Sequence, residues 1–280
     1  CGSDKQIAAD AIALSRHELA HAFQGFMPAG ETTQWLIEGF AFFSDAGPMQ
    51  ADFSDPKYGQ AYWKKTGISS LEKGTQFFGH RPTYEDTKVY PGYETDYGYK
   101  YLGYFFDDFI YRKGGYIAVK EVELNDLNGY KKMGYSSGQA ILDDFYFDFD
   151  VRVQDKPVVT LKTPVVNAEL TSSQVDISWM PLKADVKFNI LVSTDNKASW
   201  TEVVNKTTQT SVVWNSGSYN GTFFLKFVAP ENLNLESTYG PFSVTDITKL
   251  SLNFPNGGEY LIAEDTVKVS WGTTTIPNIK

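Results

Sequence analysis

Residues 15–23 read SRHELAHAF, and they hold two of the three histidines of this 280-residue chain. The segment around them, 5–24, is free of proline and places Ile7, Ala11, Leu14, Leu19 and Phe23 at helical spacing. Asp4 suits the N-cap, and Gly25 and Pro28 close the segment. In a helix, residues four apart lie one above the other on the same face. His17 and His21 can therefore offer two imidazole nitrogens to one cation, with Glu18 beside that face as a base. Zinc suits this donor set, because catalytic zinc takes three protein ligands and keeps one position open.

A third ligand must come from elsewhere. The pattern that places glycine at 24 and histidine at 27 fails here, since those positions hold Gln24 and Met27. His80 lies far along the chain in a GHRP turn. The better candidate is Glu38, in QWLIEGFAFFSD (34–45), on a second helix expected over 33–44 and stopped by Gly47-Pro48. Sixteen residues separate His21 from Glu38, enough for a helix end, a turn and an antiparallel return. Glu38 also stands inside an apolar run, where a charge needs a reason.

HELAH followed by WLIEGFA resembles the gluzincin zinc metallopeptidases over roughly residues 12–115. The resemblance implies a zincin-like catalytic domain in which His17, His21 and Glu38 hold Zn2+ and Glu18 is the general base. It also implies that Ala41 is the small residue that lets the second helix pack closely. A further donor to the reacting oxygen would come from a downstream helix. DYGYKYLGYFFDDFIYRKGG (96–115) is similar to it, with Tyr97, Tyr99 and Tyr101 as candidates and His80 as runner-up. Three features depart from the family, one being a motif spacing slightly shorter than in thermolysin-like enzymes. Phe42 stands where thermolysin-type members carry an acid, leaving Asp45 as a substitute, and only 16 residues precede His17, where a β-sheet is usual.

The rest of the first half reads as helix, with segments expected at about 97–111, ended by Gly114-Gly115, and at 137–148. The acids of ILDDFYFDFD (141–150) lack the glycine-containing loop of a calcium site and read as a solvated helix end. After Lys156-Pro157 the pattern turns to β: VDISW (175–179), KFNILVS (187–193), TSVVW (210–214) and GTFFLKFVA (221–229) alternate or run apolar between turns. STDNKASW (193–200) is similar to an Asp-box hairpin with Lys197 in place of a glycine, a structural turn. LKTPVVNAELTSSQVDISW (161–179) repeats as LNFPNGGEYLIAEDTVKVSW (252–271), with Pro164 and Pro255 91 residues apart. These segments resemble fibronectin type III or immunoglobulin-like repeats of secreted bacterial enzymes. The expected fold is multidomain. A mainly α zincin-like metallopeptidase domain covers 1–155, an all-β immunoglobulin-like sandwich 156–248, and a partial second repeat 249–280. Two strands cannot close a sandwich, so a cut C-terminus is expected, and a cut N-terminus with it.

Bulk composition narrows the functions. With 42 % hydrophobic residues the chain can fill a core. A net charge of −9 argues against nucleic acid as a partner. No apolar run reaches membrane-spanning length. Cys1 is the single cysteine, so no internal disulfide is available. It reads as a fragment boundary, with a lipid-modified N-terminus or a reactive thiol as alternatives. The expectation is a secreted or cell-surface zinc peptidase acting on protein or peptide substrates. A non-catalytic adhesion protein that binds glycan or protein through its β modules is the alternative. A peptidase of glycoproteins, with sugar recognised by those modules, is a third reading.

Overall fold

The computed structural model describes residues 15–16, 19–20, 39–41, 43–44, 60–88, 101–125, 127–171, 173–217, 219–245, 252–254 and 266–271. The chain divides into two compact units, Cys1–Lys156 and Pro157–Lys280.

The first unit is helical where it is described. Residues 15–16, 19–20, 39–41 and 43–44 are helical, and four longer helices follow: α1 (Gln60–Phe78), α2 (Tyr101–Asn125), α3 (Leu127–Lys132) and α4 (Gly138–Arg152). Ser137 caps α4: its backbone is extended and its Oγ accepts the Ala140 N–H at 3.1 Å. Arg152 in the last turn complements the helix dipole. α2 bends at Gly115, whose φ of 68° a side chain would resist. The core is aromatic. Phe105 and Phe109 of α2 meet Phe145 and Phe149 of α4 edge-on or tilted, with Phe105 and Phe149 centroids 5.5 Å apart and Phe109 and Phe145 5.9 Å apart.

The second unit is built from strands: β1 (Val159–Thr163), β2 (Glu169–Leu170), β3 (Gln174–Pro181), β4 (Phe188–Ser193), β5 (Thr201–Thr207), β6 (Ser211–Asn215), β7 (Gly221–Ala229), β8 (Leu235–Val244), β9 (Leu252–Phe254) and β10 (Ser270–Trp271). They form a three-stranded sheet ordered β1-β3-β6, a five-stranded sheet ordered β2-β8-β7-β4-β5, and a two-stranded sheet of β9 and β10. Among the described residues, all strand pairings are antiparallel except β2 with β8. β3 alternates, burying Val175, Ile177 and Trp179. Trp179 reaches Phe227 of β7 at 5.1 Å and Trp214 of β6 reaches Phe223 at 4.8 Å, so rings from the three-stranded sheet pack on rings from the five-stranded one.

Taken over the described residues, the molecule is a mixed α and β protein. That corrects the expected fold class of a mainly α zincin-like domain followed by an all-β immunoglobulin-like sandwich and the start of a second. The expectation joined the helical and strand patterning of the two halves to a resemblance carried by two motifs a few residues long and to one repeat. Such motifs specify chemistry and local turns, not architecture. The helical core is laid down by the rings of α2 and α4, outside both motifs.

Candidate functional site

The two motif-bearing stretches meet α2. Gly39 faces Gly103 so closely that a Cβ on Gly39 would lie 2.3 Å from the Gly103 carbonyl carbon and 2.6 Å from Asp107 Oδ2. Only a glycine permits this approach. Ala41 is fully buried, and Phe43 is clasped by three tyrosines of α2, with centroids 6.4 Å from Tyr104, 5.7 Å from Tyr111 and 6.0 Å from Tyr116. The stretch that carries WLIEGFA is thus set against α2 by a glycine contact and a ring cluster one turn apart.

A cavity of about 530 Å³ lies between the motif stretches and the far half of α2. The first motif contributes Arg16, Leu19 and Ala20, the second Phe40 and Ser44, and α2 Lys120, Glu123 and Leu124.

α2 also carries a buried acidic pair. Asp107 and Asp108 are both fully buried. Asp108 is paired: Arg112 Nε donates to its Oδ2 at 2.9 Å, and Arg152 Nη1 lies 3.4 Å from the same oxygen. Asp107 is not. Neither of its oxygens has a hydrogen-bond partner, and among the described residues no lysine or arginine pairs with it. Burial first, then the nearby Glu123 and Asp108 carboxylates, push its pKa well above the ordinary carboxylate range.

The candidate residues distribute as follows. His17, Glu18, His21, Glu38, Phe42, Asp45, Tyr97 and Tyr99 lie outside the described residues. Tyr101 opens α2, partly exposed. His80 sits in the turn after α1, its Nδ1 3.0 Å from the Arg81 carbonyl oxygen and 3.6 Å from Asp86 Oδ2. Within ILDDFYFDFD, Asp148 and Asp150 are buried, where a solvated helix end was expected. Arg112 binds Asp148 at 2.8 Å and 2.5 Å, and Arg81 binds Asp150 at 2.8 Å and 3.0 Å. These pairs tie α4 to its neighbours. Asp107 was the residue sequence reasoning missed. The argument applied to Glu38, a charge inside an apolar run, holds equally for LGYFFDDFI (102–110).

No family model matches this chain, and no curated protein matches it. Among the described residues, no three His, Cys, Asp or Glu side chains are grouped to hold a metal, and no helix is long and apolar enough to cross a membrane. Asp107 is a buried carboxyl group without a hydrogen-bond partner, set against Gly39, the residue that follows Glu38 in the sequence.

Proposed function

We propose that this chain is a zinc-dependent peptidase of extracellular proteins, with His17, His21 and Glu38 holding the metal. The observation that carries the reading is the pairing of HELAH with WLIEGFA in one sequence. Described residues of both stretches are helical and border one cavity, which supports it. Bound zinc supplies a Lewis acid that brings the pKa of water to near 7 and draws off developing negative charge. Glu18, next to His17 in sequence, accepts the proton of the attacking water and returns it to the leaving amine. Tyr97, Tyr99 or Tyr101 offers a phenolic O–H to the oxygen on which charge develops. The close Gly39–Gly103 contact holds the residue that follows Glu38 against α2, and fixed ligands would keep the proton acceptor in line with the scissile carbonyl. Secretion or display on a cell surface belongs to the same reading, as does a protein or peptide substrate, whether or not it carries sugar.

The experiment is elemental analysis of the parent and of Glu38→Ala after exhaustive dialysis, followed by a peptide-cleavage assay on Glu18→Gln. We expect one zinc per parent chain, little in Glu38→Ala, and full zinc with hydrolysis reduced by about 10²- to 10⁴-fold in Glu18→Gln. A folded parent that retains no zinc, or a Glu18→Gln variant as active as the parent, rejects the reading.

A further inference from the structure

We propose that the cavity between the motif stretches and the far half of α2 is a binding site for a small amphipathic carboxylate, a free medium-chain fatty acid. The inference stands apart from the zinc reading, since it uses none of the proposed metal ligands and not the general base. A space of about 530 Å³ is of the size that small-molecule sites take. Leu19, Phe40 and Leu124 make its wall largely apolar. Leu19 and Leu124 keep 58 % and 40 % of their surface exposed. Large apolar side chains left open to water around one concave space favour a ligand that covers them.

The charges on the wall select the other end of that ligand. The chain as a whole carries a net charge of −9. Among the described lining residues, however, the two cations Arg16 and Lys120 outnumber the one acid, Glu123. Arg16 and Lys120 are both exposed, and neither is ion-paired among the described residues. Glu121, the acid next to Lys120, is taken by Lys132. Glu123 is 3 % exposed and belongs with the buried acids of α2, where its charge acts on Asp107. A carboxylate can therefore meet Arg16 and Lys120 while it stays hydrated. An ammonium would have to shed its water to meet Glu123, which is costly. A guanidinium also matches a carboxylate with two parallel N–H donors. An apolar tail of limited length with one carboxylate at its end satisfies both the wall and its charges.

The test is calorimetric titration of the full chain with octanoate, decanoate and dodecanoate below their micelle concentrations, with decanol and decylamine for comparison. We expect one site per chain, an affinity that rises about fourfold for each added methylene, and decanoate bound more tightly than decanol or decylamine. Leu124→Trp fills part of the space from a partly exposed position and should weaken decanoate by at least about tenfold. Arg16→Gln combined with Lys120→Gln should weaken decanoate by about 3- to 10-fold and leave decanol unchanged. The ligand series on the parent decides the question even if a variant fails to fold. Several weak sites, or an affinity that does not rise with chain length, overturn the proposal. So does a folded Leu124→Trp that binds decanoate as the parent does, or a folded double variant that keeps the parent's preference for decanoate over decanol. Decylamine bound more tightly than decanoate overturns it as well, and would assign the end group to Glu123. None of these outcomes touches the zinc reading, which is decided by metal content.

Discussion

Asp107 and Asp195 are the same side chain under opposite conditions. Asp195 is exposed in the β4–β5 loop and collects donors: Ser193 Oγ at 2.7 Å, the Ser199 N–H at 2.9 Å and Ser199 Oγ at 2.5 Å. These bonds, those from Ser199 foremost, hold its pKa down to about 2. The folded value lies below the unfolded value of about 3.9. The loop's contribution is therefore present above that pH and is lost as pH falls through about 2. A carboxyl-carbon NMR titration should place the Asp195 midpoint near 2, and Ser199→Ala should raise it; a parent midpoint near 4 would reject this account of the loop. The sequence disclosed this turn because its chemistry is local. Even the irregular residue makes sense: Lys197 adopts a φ of 70°, at the position where the related hairpin motif carries glycine. Asp107 was not disclosed, because its lack of partners depends on packing against residues far away in sequence.

At the scale of elements, alternation was the dependable signal. The segments expected at 175–179, 187–193, 210–214 and 221–229 are β3, β4, β6 and β7. Helix α1 went unseen because Gly67 and Gly74 argue against a helix interior. Tertiary packing reverses that preference at Gly67, where a Cβ would sit 2.8 Å from the Phe105 ring and 2.9 Å from Val153. Gly114-Gly115 was read as a stop. The chain does turn at Gly115, but it continues to Asn125 because Val119 and Val122 return to the core. Besides their rings, α2 and α4 are joined by Arg112, almost wholly buried and shared between Asp108 and Asp148. Removing the guanidinium leaves two buried carboxylates with only Arg152, 3.4 Å and 3.8 Å away, to answer them. Arg112→Leu should therefore destabilise the first unit by about 3–5 kcal/mol in urea unfolding. A loss below about 1 kcal/mol, the range of a solvated surface pair, would show that the network is not what joins the helices.

At the scale of the molecule, chemistry and architecture were legible to different degrees. The motif spacing pointed to a donor set of His17, His21 and Glu38, yet the fold class inferred from it did not hold. A metal site needs a few residues from two turns of chain, whereas architecture depends on every long-range contact. The two units have separate aromatic cores, one around Phe105, Phe109, Phe145 and Phe149, the other around Trp179 and Phe227. Each core can melt by its own cooperative loss of packing. Scanning calorimetry of the full chain should then resolve two transitions, with Arg112→Leu lowering one of them. Zinc at a hundred times its dissociation constant adds about 2.7 kcal/mol to whatever folded unit binds it. At about 2–4 °C per kcal/mol, that is a rise of roughly 5–10 °C. If the metal is held by residues 17–38, the transition that zinc raises must be the one Arg112→Leu lowers, with the other unmoved. A zinc-dependent rise in the other transition would place the metal among the strands and reject the assignment of its ligands.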